Sequence, residues 1–315
     1  MLVTYASQSN KQAAASGSVL LAVLCLLAVL SFLIITTAAM SREHGEMQQA
    51  RMGMMRARQL AETGIAVGAH PLIKAGDPLL RRSVSGIESF EARLTTEERR
   101  LNLNALLTAE RLPLLERIFM SWGLSLVDAQ DIAATFMDWT DSDDLKRRPG
   151  SAEQLDYQHP GLPLNRPFNS LDELNLVARV EELNAAKPDW RTWFTLRGNG
   201  QLDLNTTSAE IIAAVTNASM ENARQLVSTR NGPDGLSQTS DDAPLKSLEE
   251  AMAILGIAGS DTPNLLTVQG PTRHVESIGR AGDARCGITL VVNLKDGTPR
   301  MAEWSEFAVK GDARP

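Results

Sequence analysis

The sequence predicts an α+β protein: a long N-terminal α-helix, then an antiparallel sheet that a large helical insert domain interrupts. Three observations lead to this fold class: an apolar run near the N-terminus, helical periodicity through the middle of the chain, and strand-like alternation towards the C-terminus. Of the 315 residues, 43% are hydrophobic and 22% are charged, as in ordinary globular proteins. The part after the apolar run is long enough for one large or two modest domains with buried cores.

The apolar run covers residues 18–40, which carry no charge. As a helix it would be roughly 35 Å long, enough to cross a hydrocarbon layer of about 30 Å. It is longer than the apolar region of a secretory signal, although Thr37-Ala38-Ala39 offers small residues that a signal peptidase accepts. We therefore predict a retained transmembrane helix, with cleavage near residue 39 as the alternative.

The transmembrane helix is expected to continue into the soluble part, because apolar or small residues recur there in steps of three and four. His70-Pro71 should end this helix. Residues 87–94 and 100–104 then alternate between apolar and polar, which predicts two strands joined by residues 95–98. The recurring residues of the helix are Met47, Ala50, Met54, Ala57, Ala61, Ile65 and Gly68.

Helical patterns dominate the middle of the chain, and strand patterns return from residue 265. Pro113 is compatible with the first of these helices only near its start or at a break, and Gly256 should end the last one. The predicted helices are 106–122, 127–139, 172–183, 208–215, 222–230 and 247–255. The predicted strands are 265–268, 274–278, 287–292 and 301–307, with a turn at 295–298. These patterns divide the chain into a segment before the apolar run (1–17), the transmembrane helix (18–40), the helix continuation with the first strands of the sheet (41–104), the helical insert (105–260) and the C-terminal strands of the sheet (261–315).

The helical insert carries the acidity of the chain. The formal net charge is −7, whereas residues 101–260 alone contain 23 Asp and Glu against 13 Lys and Arg. This balance, with no basic run beyond Lys146-Arg147-Arg148, does not favour a nucleic-acid partner. The acidity of the insert suits a cation or a basic partner, although a solvated surface is the default explanation.

Five acids follow one another closely within the insert and form a candidate metal site. Four Asp carboxylates within seven residues repel one another, and a hard cation bound through oxygen would relieve that repulsion. An EF-hand is excluded because Leu145 stands at the fifth position of the loop and no glycine follows it. A calcium loop of another kind, or a set of helix caps and exposed turn acids, remains open. The acids are Asp138, Asp141, Asp143, Asp144 and Glu153.

Signals for an enzyme or a DNA-binding module are sparse. The four histidines lack the spacing of metal ligands, and no phosphate-binding or dinucleotide-binding loop is present. Residues 101–107 and 202–212 resemble each other, and Asn205 is expected to cap a helix. The second copy is similar to a helix-hairpin-helix module, but residues 216–220 lack the glycine that brings backbone amides to phosphate. A DNA-uptake module and a membrane-anchored, metal-dependent periplasmic enzyme therefore stay as alternatives to a non-enzymatic role.

Several segments, taken in order, resemble the minor pseudopilin K subunit of bacterial type II secretion systems. A leader ends at Gly17 before the apolar helix, and the other segments follow over nearly the whole chain. They are Leu101-Asn102-Leu103-Asn104, Asp138-Trp139-Thr140-Asp141-Ser142-Asp143, Ala152-Glu153 with Tyr157, residues 165–174, and Leu204-Asn205-Thr206-Thr207-Ser208.

The resemblance implies a prepilin that a prepilin peptidase cleaves between Gly17 and Ser18, with methylation of the new N-terminus. It implies a single-pass protein of the bacterial inner membrane whose bulk is periplasmic, capping a pseudopilus with the minor I and J subunits on an inner-membrane assembly platform. The fifth mature residue is Ala22, where most pilins have Glu. An acid in lipid needs the amino terminus of the next subunit as partner, so an apolar residue suits the filament tip. Family members bind calcium, which makes Ca²⁺ the expected cofactor of the acidic cluster.

Overall fold

A computed structural model describes residues 9–239, 241–257, 263–293 and 300–309, with side chains from residue 19 onwards. The first element, α1 (Ser9–Ala69), is a single helix of 61 residues and about 90 Å. Nearly all side chains of residues 19–52 are exposed. Within the described residues, one helical span, Val19–Ala69, is long and apolar enough to cross a membrane. The N-terminal half of α1 therefore stands free of the folded domain, as the sequence predicted.

The main sheet is antiparallel and has the strand order β1 (Arg81–Ser83), β2 (Glu88–Thr96), β7 (Thr272–Ala281), β8 (Ala284–Asn293) and β9 (Arg300–Phe307). The chain leaves this sheet after β2, forms the helical insert, and returns to the sheet at β7, which pairs with β2 along its whole length. The α+β class with a helical insert is thus confirmed. The short strands outside the main sheet are β3 (Leu101–Asn102), β4 (Phe194–Thr195), β5 (Leu202–Asp203) and β6 (Leu266–Thr267).

The C-terminal half of α1 packs on the sheet through small residues. It lies mainly over β7, with β2 and β8 on either side. A side chain added at Gly64 would meet Ser277, and one added at Gly68 would meet Val275. Because these positions carry no Cβ, the helix backbone approaches the sheet more closely than larger residues would allow.

The insert has its own hydrophobic core, built around large aromatic side chains. Trp139, Trp190 and Phe136 are fully buried, and Trp139 stacks on Phe168 with ring centroids 5.9 Å apart. Such rings bury large apolar areas, so they contribute much of the apolar burial that stabilises the insert. Its helices are α2 (Leu103–Leu106), α3 (Leu112–Ser121), α4 (Leu126–Asp138), α5 (Val180–Ala186), α6 (Ala209–Thr216), α7 (Met220–Arg230) and α8 (Leu248–Leu255).

Several predicted elements are corrected by the structure. The hairpin predicted over residues 87–104 is wrong, because β3 pairs in parallel with β4 instead of with β2. The helix predicted over 106–122 breaks between Leu106 and Leu112, and Pro113 lies in the first turn of α3. Residues 171–176 form a 3₁₀-helix, and β6 pairs with β5 outside the main sheet. The predicted turn at 295–298 lies outside the described residues.

Buried acids join the insert to the sheet where the chain crosses between them. Glu97 accepts hydrogen bonds from Thr195 of the insert at 2.5 Å and from Arg100 at 2.7 Å, and it pairs with His274 of β7. Glu98 accepts the backbone N–H of Thr272 at 3.1 Å. Since these acceptors are buried, losing their partners would be costly, and the two domains are held in one orientation.

Acid should loosen this junction. Burial alone would raise the pKa of Glu97, but the hydrogen bond from His274 and the charge of Arg100 outweigh it and lower the pKa to about 2. The stability that ionised Glu97 contributes is complete above its unfolded pKa of about 4.5 and is lost as the pH falls towards 2. We expect the free energy of unfolding to fall by about 2–3 kcal/mol over this range. Urea unfolding at several pH values would measure it, and Glu97→Gln should flatten the curve; an equally steep curve would contradict the assignment.

Candidate functional site

The acidic cluster lies where α4 ends. Ser125 caps the start of α4 by accepting the backbone N–H of Asp128 at 3.2 Å, and Asp138 is the last residue of the helix. The next residue, Trp139, is fully buried in the aromatic core. This anchor fixes the end of α4, so that the loop after it starts from a rigid position.

Asp138 is buried completely, which is unusual for a carboxylate. Its Oδ2 accepts hydrogen bonds from the Ser151 hydroxyl at 2.6 Å and from the Arg147 backbone N–H at 3.2 Å. Its Oδ1 has no hydrogen bond and lies 3.3 Å from Nε of Arg147. Burial raises the pKa of Asp138 more than these partners lower it.

Asp141 shares the same arginine. Its Oδ2 accepts a hydrogen bond from Nη2 of Arg147 at 2.8 Å, whereas its Oδ1 is buried without a partner. Burial raises the pKa of the Asp141 carboxyl, and Arg147 opposes that rise. The guanidinium of Arg147 thus neutralises part of the charge that Asp138 and Asp141 bring together.

Glu153 completes the buried part of the cluster from the other side of the loop. It precedes a 3₁₀ turn at Gln154–Asp156 and forms a capping box with Asp156. Glu153 is 3% exposed, and its Oε1 has no hydrogen-bond partner. Burial and the nearby charge of Asp138 raise its pKa to about 7. A carboxylate that resists ionisation in this way is one that a cation would stabilise.

The structure separates the five predicted acids into two groups. Asp138, Asp141 and Glu153 converge, whereas Asp143 and Asp144 are exposed. Asp143 accepts the backbone N–H of Leu145 at 2.8 Å, an ordinary turn contact. The charge of Asp144 nevertheless raises the pKa of Glu153. Asp143 and Asp144 therefore line the outside of the cluster.

Three buried carboxylate oxygens are left without a hydrogen bond: Oδ1 of Asp138, Oδ1 of Asp141 and Oε1 of Glu153. Buried oxygens of this kind normally have partners, and carboxylate oxygens are preferred ligands of Ca²⁺. As the side chains stand, no three His, Cys, Asp or Glu residues in the described part of the chain form a complete metal site. In the structure the positive charge beside Asp138 and Asp141 comes instead from the Arg147 guanidinium. Calcium binding by this cluster therefore stays a prediction, and Asp138, Asp141 and Glu153 are the residues that would hold the ion.

Sequence reasoning missed Arg147 and Ser151 as parts of the site. The signal for Arg147 was present, because the basic run 146–148 follows the acids directly. Tyr157, which the sequence placed next to Glu153, packs behind the cluster. Its hydroxyl accepts the backbone N–H of Ala178 at 3.2 Å, its ring packs against Trp139, and burial raises its pKa to about 12.

The other predicted sites are placed as follows. Gly17 and Ser18 lie inside α1, so the predicted processing site is in a helical segment. The expectation that Asn205 caps a helix is wrong. Its side chain bridges Leu245 and Val268, while Ser208 caps α6. Asn205 therefore ties three parts of the insert together.

Comparisons with known proteins agree with this architecture. Residues 99–187 match the family described as "Type II secretion system (T2SS), protein K". The fold is similar to a chain of the crystal structure of the GspK-GspI-GspJ complex from the type 2 secretion system of enterotoxigenic Escherichia coli. The TM-score is 0.56 at 15% identity, over 85% of this chain and 99% of that chain. Curated protein sequences gave no match. The resemblance to the minor pseudopilin K family is confirmed.

Proposed function

We propose that this chain, a relative of the type II secretion protein K family, is a non-enzymatic minor pseudopilin. It would sit at the tip of the pseudopilus and nucleate its assembly with I-type and J-type minor pseudopilins. One observation carries the proposal: α1 has a free apolar N-terminal half, and its other half packs on the sheet from which the family-matched segment, residues 99–187, continues. Arg273, beside the crossing to the insert, donates hydrogen bonds to the carbonyls of Gly68 and His70 at the end of α1.

The free half of α1 is the membrane segment in this proposal. Prepilin peptidase would cleave between Gly17 and Ser18, and the new N-terminus would be methylated. The exposed side chains of residues 19–35 are almost all apolar, so they suit lipid before assembly and neighbouring helices afterwards. Ala22 places no acid in that segment. An apolar residue there suits a subunit at the tip, because no subunit lies above it whose N-terminus an acid would have to neutralise.

The acidic cluster has a structural role in this proposal. When bound, calcium would neutralise the carboxylates that burial and mutual repulsion keep from ionising freely. Asp138 and Asp141 would hold it from the end of α4, and Glu153 would hold it from the far side of the loop. Calcium would thereby tie the loop to the core of the insert.

Co-purification tests the proposal. We expect the full chain, produced with prepilin peptidase and with I-type and J-type minor pseudopilins of the same system, to be recovered in a stable complex with both. An unrelated single-pass protein of similar length is the control for non-specific association. Recovery of the chain alone would count against the proposal, and so would a mature N-terminus beyond Met40 by mass spectrometry.

A further inference from the structure

A groove on the insert runs along α6. It consists of two cavities, of about 500 Å³ and about 720 Å³, which have Trp193, Glu210 and Met220 in common. The smaller cavity lies beside the C-terminal half of α6, and the larger lies beside its first turn. The helix has eight residues and is therefore about 12 Å long. An extended chain advances about 3.3 Å per residue, so the groove matches about four residues of extended peptide.

One end of this α6 groove is aromatic. The rings of Trp122 and Trp193 meet edge to face with their centroids 5.1 Å apart, and Ala213 and Ala214 of α6 line the same cavity. The indole Nε1 of Trp122 is buried and has no hydrogen-bond partner within the described residues. A buried donor without an acceptor is costly, and such donors normally have partners. This end of the groove therefore suits a ligand that brings both an apolar group and an oxygen acceptor.

The other end of the α6 groove is basic. Arg99 lines it, and the carbonyl of Arg99 accepts the Thr207 hydroxyl at 2.7 Å, which holds this arginine beside the start of α6. Its Nε is buried without an acceptor among the described residues. Burial and the adjacent charge of Arg100 lower the pKa of Arg99 more than the charges of Glu97 and Glu276 raise it. The positive charge of Arg99 is thus only partly compensated within the chain, and an anion would stabilise it.

A second arginine lines the same end of the groove. Arg224 lies in the second turn of α7, is exposed, and forms neither a side-chain hydrogen bond nor an ion pair with any described residue. The acids that line this cavity are already paired: Asp189 lies 3.0 Å and Glu210 lies 3.6 Å from Nζ of Lys187. The charges of Arg99 and Arg224 therefore remain for a ligand, on an insert that is acidic as a whole.

We infer that the α6 groove binds an extended peptide that carries a carboxylate, from an acidic side chain or from the chain end, about three or four residues from a large apolar side chain. Arg99 and Arg224 bind the carboxylate, since guanidinium groups match its two oxygens. Trp122 packs against the apolar side chain and donates its indole N–H to a carbonyl of the peptide backbone. The inference concerns the insert alone, so it stands or falls separately from the proposed function.

Fluorescence anisotropy with labelled peptides and the full chain in detergent tests the inference. The probe is a hexapeptide with tryptophan at its second position, glutamate at its fifth and sixth positions, and an amidated C-terminus. We expect it to bind, and we expect replacement of both glutamates by glutamine to weaken binding about tenfold or more, as for the loss of hydrogen bonds to a charged group. The glutamine peptide with a free C-terminus shows whether the chain end can supply the carboxylate instead. Equal affinity for all three peptides, or no binding at millimolar concentration, would overturn the inference.

Substitutions in the chain assign the binding to this groove. Arg99→Gln with Arg224→Gln should weaken binding of the glutamate peptide about tenfold or more, and Trp122→Phe, which keeps a ring and removes the N–H, about fivefold. Arg82→Gln changes an exposed arginine of β1, outside the groove, and should leave the affinity unchanged. Thermal unfolding shows which variants remain folded, and Arg224→Gln alone, at an exposed position, keeps the test valid if Arg99→Gln does not fold. An affinity that Arg82→Gln lowers as much as the groove variants do would contradict the assignment.

Discussion

Calcium is expected to raise the melting temperature of the protein by about 10 °C. A ligand present at about 1,000 times its dissociation constant stabilises the folded state by about 4 kcal/mol. For a domain of this size, each kcal/mol shifts the melting temperature by about 2–4 °C. The three buried oxygens of Asp138, Asp141 and Glu153 that accept no hydrogen bond would be the ligands of the ion. Calorimetry of the full chain with excess Ca²⁺ and with a chelator measures the difference.

Two variants and a control connect this shift to the cluster. Asp141→Asn and Glu153→Gln should lose most of the calcium-dependent increase, while Glu221→Gln, which removes an exposed acid of α7, should keep it. Without calcium at pH 8, Glu153→Gln should be at least as stable as the parent, because the ionised Glu153 is repelled by Asp138. A melting temperature that calcium leaves unchanged would remove the metal from the proposal.

The acidic cluster shows why part of a site can be predicted from sequence. Asp138 and Asp141 lie one helical turn apart, and Glu153 follows within a short loop, so local spacing alone suggests that they meet. The sequence does not show which carboxylates are buried. That depends on the position of Trp139 in the core, and therefore on contacts with Phe168 and Tyr157. Asp143 and Asp144 look equivalent to the others in sequence but lie outside this packing.

Long-range pairing explains the errors in the fold. Residues 100–104 alternate like a strand, but their partner is β4, over 90 residues later, and no local pattern indicates it. A hairpin with the preceding strand is the nearest pairing that the local pattern allows. In the structure the chain instead passes there from the main sheet into the insert. Glu97 and Glu98 were predicted as loop acids for the same reason. Their partners, Thr195, His274 and Thr272, come from distant parts of the chain.

A single added methyl group at Gly279 should detach α1 from the sheet. In the structure, a Cβ at Gly279 would lie 2.0 Å from the backbone oxygen of Ala57 and 2.4 Å from the backbone nitrogen of Ala61. Side chains can move aside, but helix backbone cannot do so without separating from the strand. We expect Gly279→Ala to lower the free energy of unfolding by about 3 kcal/mol, measured by denaturant unfolding.

Gly86→Ala is the matched control, because nothing lies within 4 Å of its added Cβ. It should change stability by less than about 0.5 kcal/mol. Unchanged stability of Gly279→Ala would mean that α1 is held less closely to the sheet than the structure shows.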